Sequence, residues 1–181
     1  ATFNALRQSG ASAGDRVAIL GIGGLGHMAI QYARRMGFEV IVIARGSEKA
    51  HDALQLGAHH YIDAQTENAA ERLRAEGGVE IIVATAPDAD AVSALLPALA
   101  PRGKAILLGA GRTPLQVMPG MMIGAECTLT GSFVSTPSQT ERALRFSHLF
   151  QTLPVTELMP FEQANEALDR LRQGKARYRI V

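Results

Sequence analysis

The sequence contains a single cysteine in 181 residues and almost no net charge, its formal charge being +1. One cysteine excludes a disulfide framework, and it also excludes a cysteine-rich zinc module, which needs about four ligands. The 18 lysines and arginines form no basic block, so we expect no nucleic acid as a partner. The longest uncharged stretch, residues 17–33, includes four glycines, a histidine and a glutamine, and we therefore expect no membrane span.

Markers of export and of two common nucleotide-binding folds are also missing. The first residues, Ala1-Thr2-Phe3, contain neither an initiator methionine nor the basic region of a signal peptide, which predicts a processed product or a fragment located in the cytoplasm. The P-loop pattern G-x-x-x-x-G-K-[ST] does not occur. None of the three tyrosines is followed four residues later by lysine, which excludes the catalytic pair of short-chain dehydrogenases.

Short apolar runs alternate with helical patterns along the chain. The runs predict strands at residues 17–20, 40–43, 61–62, 81–83, 105–108 and 127–134, with a terminal strand at 177–181. The other segments predict helices at residues 25–36, 47–56, 67–75, 88–100 (bent at Pro97), 137–150 and 161–173. Apolar strands alternating with helices predict an α/β fold, a doubly wound parallel sheet (Rossmann fold) with helices on both faces.

A glycine-rich loop links the first predicted strand to the first predicted helix. It has the pattern G-x-G-x-x-G and consists of Gly21, Ile22, Gly23, Gly24, Leu25 and Gly26. In dinucleotide-binding loops the first glycine permits a tight turn, the second admits a pyrophosphate, and the third lets helix and strand pack closely. The helix N-terminus adds N–H donors and partial positive charge. We interpret the loop as a dinucleotide site; the alternative is a glycine-rich turn without a ligand.

The end of the second predicted strand indicates which dinucleotide is bound. NAD-binding loops place a carboxylate there, about 20 residues beyond the glycines. Here the strand ends with Ala44 and Arg45, and Lys49 falls in the first turn of the next helix. Because arginine and lysine bind phosphate, we expect NADP to be preferred over NAD. The alternative is two solvated surface cations, one of them paired with Glu48.

Loops of small residues follow the fourth and fifth predicted strands. Thr85 and Ala86 lie in the first loop, and Gly109 and Ala110 lie in the second. Ligands of open α/β sheets bind outside the carboxyl ends of the strands. The two loops are therefore candidate walls for adenine, ribose and nicotinamide, or else ordinary turns.

Two further residues, His27 and Cys127, have side chains that are often reactive in proteins. His27, at the start of the glycine-loop helix, either lines the cofactor cleft or is a partly exposed helix residue. Cys127 falls in the sixth predicted strand, where we expect a buried and inert thiol. No histidine has a second ligand at zinc spacing, so we expect no metal site in this chain.

Four stretches together resemble the medium-chain, zinc-dependent alcohol dehydrogenases, and the resemblance covers nearly the whole chain. They are residues 14–27, 56–62, 99–103 and 164–179, the last with the sequences Ala164-Asn165-Glu166-Ala167-Leu168 and Gly174-Lys175-Ala176-Arg177-Tyr178-Arg179. The sequence Ile43-Ala44-Arg45 resembles the NADP-using branch that includes the cinnamyl alcohol dehydrogenases.

The resemblance implies roles for individual residues. Residues 21–26 would bind pyrophosphate, and Arg45 and Lys49 would bind the 2′-phosphate. Thr85 and Ala86 would line the ribose. The nicotinamide side would be formed by Gly109, Ala110, Ser132, Phe133 and Thr2. Arg179 would reach the pyrophosphate.

The resemblance also implies a partner that this sequence does not contain. In the family a preceding GroES-like domain supplies the zinc ligands and the substrate pocket, so zinc is expected in the full-length protein only. We expect residues 1–153 to form the NAD(P)-binding domain and residues 154–181 to return to that catalytic domain. The parent would transfer hydride between an alcohol or aldehyde and the nicotinamide, and the chain alone would bind nucleotide without turnover.

The sequence is also compatible with two other functions. The parent could be a zinc-free quinone or enoyl reductase, since these share the cofactor domain. The chain could also be a stand-alone nucleotide-binding or structural module. Residues 127–134 are expected to form an edge of the sheet, and exposed edges favour pairing with another strand. The resemblance implies that this edge pairs across a homodimer; the alternative is an edge covered by the C-terminal tail.

Overall fold

The computed structural model describes all residues, 1–181, and contains a six-stranded parallel sheet. Its strands are β1 (Arg16–Leu20), β2 (Glu39–Ala44), β3 (His60–Asp63), β4 (Val79–Ala84), β5 (Leu99–Leu107) and β6 (Thr128–Gly131). They lie in the order β3-β2-β1-β4-β5-β6. The order reverses between β1 and β4, and this is where open α/β sheets form a ligand crevice.

Eight α-helices and a second small sheet complete the chain. The helices are α1 (Thr2–Arg7), α2 (Gly26–Arg35), α3 (Ala50–Gln55), α4 (Ala69–Ala75), α5 (Ala89–Leu95), α6 (Pro119–Gly124), α7 (Pro137–Phe150) and α8 (Ala164–Arg172). Short 3₁₀ turns occupy Ser47–Lys49, Leu96–Ala98 and Phe161–Gln163. Near the C-terminus β7 (Thr156–Glu157) pairs in parallel with β8 (Arg179–Ile180). No helix is both long enough and apolar enough to cross a membrane.

Each face of the large sheet is covered by its own apolar cluster. Val17 and Ile19 of β1 face one cluster, which includes residues of α1, α2 and α3. Ala18 and Leu20 face the other, which includes residues of α4 and α5. Alternate residues of a strand point to opposite faces, so β1 is buried on both sides. The doubly wound α/β fold predicted from the sequence is confirmed.

The structure corrects the predicted end of the helix at residues 88–100. The helix stops at Leu95, Pro97 lies in a 3₁₀ turn, and β5 begins at Leu99. Proline lacks an N–H donor and clashes with the preceding turn, so it ends the helix here instead of bending it. Strand β5 is correspondingly longer than predicted, with an irregular register opposite residues 79–81 of β4.

The region after β5 also differs from expectation. Strand β6 is only four residues long, and Cys127 lies half-buried just before it. Helices α1 and α6 were not predicted, since each has only six residues and presents little periodicity. The helix predicted at 137–150 is confirmed, with the capping box of Thr136 and Gln139 in place.

Candidate functional site

A cleft of about 1150 Å³ opens at the carboxyl ends of β1, β2 and β4. Its walls include the end of β1 with the glycine loop (residues 20–25), the end of β2 (residues 43–45), and the loop after β4 with the first turn of α5 (residues 85–91). Residues 176–179 of the C-terminal segment also line it. The cleft therefore lies at the switch point of the sheet, where the strand order reverses.

The three glycines of the G-x-G-x-x-G pattern have different surroundings. Gly21 has φ +100°, and a Cβ there would lie 3.0 Å from the Thr85 hydroxyl. A Cβ on Gly26 would overlap the carbonyl oxygen of Gly21. A Cβ on Gly23, in contrast, would meet nothing within 4 Å. Gly21 and Gly26 are thus required by the fold itself, whereas Gly23 leaves open space that a ligand can enter.

Thr85 fixes the glycine loop from the neighbouring strand. Its hydroxyl donates to the carbonyl oxygen of Leu20 at 2.9 Å, at the end of β1. The backbone N–H of Ala86 also donates to Leu20, at 3.2 Å. Both residues line the cleft. The loop after β4 therefore holds the turn in addition to forming a wall.

Arg45 and Lys49, the predicted phosphate ligands, both line the cleft. Arg45 is exposed, and the Lys49 ammonium donates to the Arg45 carbonyl oxygen at 2.8 Å. The Glu48 carboxylate is 3.8 Å from that ammonium and forms no ion pair with Arg45. Ala44 leaves the strand end free of a carboxylate. At least one cation on this wall is thus available to an anion.

The C-terminal segment brings another cation to the glycine loop. Arg179 of β8 lies so close that a Cβ on Gly24 would be 2.7 Å from its guanidinium carbon. The preceding residue, Tyr178, is buried and donates its hydroxyl to Asp52 of α3 at 2.9 Å. Arg177 also pairs with Asp52, at 3.3 Å. These contacts hold the segment against the glycine loop and α3.

His27 is neither a cleft residue nor partly exposed, which corrects both interpretations made from the sequence. Its side chain is fully buried, and its ring stacks on Tyr178 with centroids 4.9 Å apart. Nε2 accepts from the Val155 N–H at 3.3 Å, so the proton sits on Nδ1, which donates to the Gly23 oxygen at 3.0 Å. Burial lowers the pKa of His27, and the positive charge of Arg179 lowers it further. The hydrogen bond to the Gly23 carbonyl oxygen raises the pKa and offsets part of this shift.

The remaining predicted residues do not line the main cleft. Gly109 and Ala110 line an adjoining cavity of about 230 Å³, which shares Ala86 with the main cleft. A Cβ on Gly109 would be 2.5 Å from the backbone of Ala86, so glycine is required there. Thr2, Ser132 and Phe133 line neither cavity. Thr2 is buried in α1 and Phe133 is 84% exposed, and their roles stay predictions.

Sequence reasoning missed the residues that support the cleft without lining it. Asp52, Tyr61 and Asp63 were given no role, although each makes a hydrogen bond that fixes a cleft wall. Their partners are distant in sequence, and no local pattern reveals them. Tyr178 lies within a stretch that resembles the family, but the resemblance assigned it no function.

A possible serine nucleophile is excluded by its context. Residues 10–14 match the G-x-S-x-G pattern of serine hydrolases. Such a serine must sit between a strand and a helix, at the top of a sheet. Ser12 instead lies between α1 and β1, and its N–H donates to Asp15 at 2.7 Å. The pattern here is a turn.

The side chains of this chain do not fit a zinc ion. No group of three or more histidine, cysteine, aspartate or glutamate residues lies close enough to hold a metal. Zinc sites in proteins use three or four such ligands. The side chains of this chain therefore offer no set of ligands that could hold a zinc ion.

Most of the chain matches a known protein family. A family model described as zinc-binding dehydrogenase matches residues 24–148. The alcohol dehydrogenase notN of Aspergillus sp. is 39% identical over 180 residues, covering 99% of this chain and 52% of that protein. The cinnamyl alcohol dehydrogenase 7 of Oryza sativa subsp. japonica is 35% identical, covering 97% of this chain and 46% of its own length.

Solved structures agree with this placement. The cinnamyl alcohol dehydrogenase SbCAD4 of Sorghum bicolor superimposes with a TM-score of 0.88 at 26% identity. The match covers 99% of this chain and 51% of the sorghum chain. The chain thus spans about half the length of the curated relatives it matches.

Proposed function

Because the chain belongs to the zinc-binding dehydrogenase family, we propose that it is the nicotinamide-dinucleotide-binding domain of an alcohol dehydrogenase. The observation that carries the proposal is the open space at Gly23 beside the start of α2. The fold gives no steric reason for a glycine there, whereas a pyrophosphate needs close access to the backbone. The helix N-terminus and the Arg179 guanidinium supply positive charge at the same place.

The two ends of the dinucleotide would occupy different parts of the cleft. The adenosine half would lie against the wall that contains Ala44, Arg45 and Lys49. The nicotinamide half would lie towards the smaller cavity lined by Gly109 and Ala110. When bound, the nicotinamide supplies hydride transfer, and this chain binds and orients it.

NADP is the dinucleotide that we propose to be preferred. Arg45 and Lys49 line the wall at the end of β2, and Ala44 provides no carboxylate for a ribose 2′-hydroxyl. A charged hydrogen bond to the 2′-phosphate contributes roughly 1.5–3 kcal/mol, which is about 10-fold to 100-fold in affinity.

Turnover would require a longer protein. The chain spans about half of its relatives, and its own side chains do not fit zinc. We place the zinc ligands and the alcohol or aldehyde pocket in a GroES-like domain outside this sequence. Residues 1–153 would then form the cofactor domain, and residues 154–181 would contact the catalytic one.

A homodimer is the assembly that we propose. Strand β6 is the last in the sheet order and pairs only with β5. Such an edge offers free backbone groups to a second strand. Pairing of two β6 edges would join two sheets into one.

Titration of the chain with NADPH and NADH at one ionic strength tests the proposed function. We expect tighter binding of NADPH, and Arg45→Ala should weaken NADPH binding about 10-fold or more while leaving NADH unaffected. Arg145→Ala is the control, because that arginine lies on the exposed surface of α7 and pairs only with Glu141. Binding of neither nucleotide would overturn the proposal, and a preference for NADH would overturn the role of Arg45.

A further inference from the structure

Gly46 is held on both sides by side chains from the neighbouring strand. The Tyr61 hydroxyl donates to the Gly46 carbonyl oxygen at 2.6 Å. The Gly46 N–H donates to Oδ1 of Asp63 at 2.8 Å. Both side chains belong to β3, which pairs in register with β2. Strand β3 therefore fixes the backbone at the point where the chain leaves β2.

The fixed glycine lies between the two cations of the cleft wall. Gly46 is buried with φ +95°, and it connects Arg45 to the 3₁₀ turn that contains Lys49. The Lys49 ammonium in turn donates to the Arg45 carbonyl oxygen at 2.8 Å. Rotation of the Gly46 peptides would therefore move both cations together.

The anchoring groups are themselves held in place. Oδ1 of Asp63 also accepts from the Gln65 N–H at 3.0 Å, which fixes the carboxylate. Burial raises the pKa of Tyr61 to about 12, and the charges of Asp63 and Glu48 add to this. The hydroxyl consequently remains a donor at any pH near neutrality. Neither Tyr61 nor Asp63 lines the cleft.

We propose that Tyr61 and Asp63 are positioning residues for recognition of a 2′-phosphate. They act through Gly46, whose backbone they hold so that Arg45 and Lys49 both line the cleft. This inference rests on the proposed function, because it concerns how that site distinguishes two dinucleotides. Glycine at position 46 supplies the positive φ, and β3 selects one orientation from those that glycine allows.

The experiment compares two small ligands that differ only in the 2′-phosphate. Adenosine 2′,5′-bisphosphate and adenosine 5′-monophosphate are titrated into the chain by calorimetry, and the ratio of their affinities is the readout. Tyr61→Phe should lower this ratio about five-fold, the effect of one net hydrogen bond, and leave the monophosphate affinity unchanged. Asp63→Ala should lower it further, whereas Asp63→Asn should retain it because the amide oxygen still accepts from Gly46.

Tyr32→Phe is the matched control for loss of a tyrosine hydroxyl. Its hydroxyl contacts Ser147 at 2.8 Å, in the interface between α2 and α7, away from the cleft. The control should lose comparable stability and keep the affinity ratio. Melting temperatures of all variants show whether each is folded. If Asp63→Ala does not fold, Tyr61→Phe alone tests the inference.

Three results would overturn the inference. An unchanged ratio in folded Tyr61→Phe and Asp63→Ala shows that the loop keeps its orientation without β3. An equal fall in both affinities indicates general damage to the cleft. If the wild-type chain binds both ligands equally, the proposed NADP preference fails first, and the inference fails with it. If only this inference fails, the wild-type chain still binds the bisphosphate more tightly than the monophosphate.

Discussion

Two arginines reach the same cleft from regions that are held in different ways. Arg45 belongs to the sheet wall, which comprises residues 20–25, 43–45 and 85–91, and it directly follows a strand of the central sheet. Arg179 belongs to the tail wall, residues 176–179, on the two-stranded sheet at the C-terminus. Both offer a guanidinium to an anion, but only the first is joined to the core by neighbouring parallel strands.

The burial of the two regions differs accordingly. Strands β1 and β2 are almost entirely buried, and they support the sheet wall. Helix α8 has no buried residue, and in the tail wall only Ala176 and Tyr178 are buried. Regions with few buried apolar contacts open at lower free energy than the core. The tail wall should therefore open locally while the sheet wall remains folded.

The largest effects are expected from two glycine substitutions in the sheet wall, one of which should impair folding and the other binding. Gly26→Ala places a Cβ against the Gly21 carbonyl oxygen, so the backbone must shift, at a cost of roughly 1–3 kcal/mol or more. Gly23→Ala meets no atom within 4 Å and should leave the free energy of unfolding within about 0.5 kcal/mol. The same substitution should weaken dinucleotide binding at least about 10-fold, since it fills the space that a pyrophosphate needs.

Urea unfolding and nucleotide titration of both variants check this prediction. The two glycines are three residues apart in one loop and receive the same substitution, so each is the control for the other. If Gly23→Ala bound dinucleotide normally, the open space at that residue would have no role in binding. If Gly26→Ala were as stable as the wild type, the close approach of α2 to the loop would be adjustable.

An intermediate effect is expected in the tail wall. Asp52→Ala removes the acceptor of the Tyr178 hydroxyl and the partner of Arg177. The unpaired hydroxyl should lower the free energy of local opening by about 1–2 kcal/mol, whereas the half-exposed ion pair adds little. Hydrogen exchange of residues 155–181 should accelerate about 5-fold to 30-fold, with exchange in β1 nearly unchanged.

Asp169→Ala is the control within the same region. It removes an exposed ion pair with Arg172 at 3.2 Å in α8, and such pairs contribute about 0–1 kcal/mol. Exchange of residues 155–181 should barely change. Equal acceleration by the two substitutions would show that Asp52 is no special anchor of the tail.

The comparison also explains how much of the molecule could be predicted from sequence. The sheet wall was predictable because strand, glycine loop and helix follow one another within about 20 residues. The local pattern of apolar residues and the end of β2 thus pointed to Arg45. The anchoring of that wall by Tyr61 was not predictable, since a strand pattern does not specify which backbone group its side chains reach.

The tail wall was less predictable because its contacts join distant residues. Tyr178 and Asp52 are 126 positions apart, and His27 and Val155 are 128 apart. Side-chain contacts of this kind depend on tertiary packing, which periodicity does not encode. His27 illustrates the consequence. Its place at the start of α2 was correctly located, but the tail that buries it could not be foreseen.

The smallest expected effect is a pH dependence confined to the tail wall. His27 must be neutral to accept from Val155, and burial lowers its pKa below the usual 6.5. The unfolded chain therefore binds the proton more tightly, so this contribution is complete above about pH 6.5 and declines as pH falls below that value. Three charged groups surround the stack of His27 on Tyr178. The Arg177 guanidinium carbon lies 5.7 Å from the centre of the Tyr178 ring, Asp52 accepts from the Tyr178 hydroxyl, and the charge of Arg179 lowers the pKa of His27.

Hydrogen exchange of residues 155–181, corrected for intrinsic rates, should show opening that becomes easier from pH 7 to pH 5, by at most about 1.4 kcal/mol per pH unit. The Arg170 side chain and the Arg177 N–H hold the pKa of Glu157 below its usual 4.5. Protonation of Glu157 therefore changes the opening of the tail only below the range from pH 5 to pH 7. The exposed His148 provides the control, since His148→Gln should keep the full dependence. A tail whose opening is equally easy at both pH values would show that protonation of His27 does not disturb the contact with Val155.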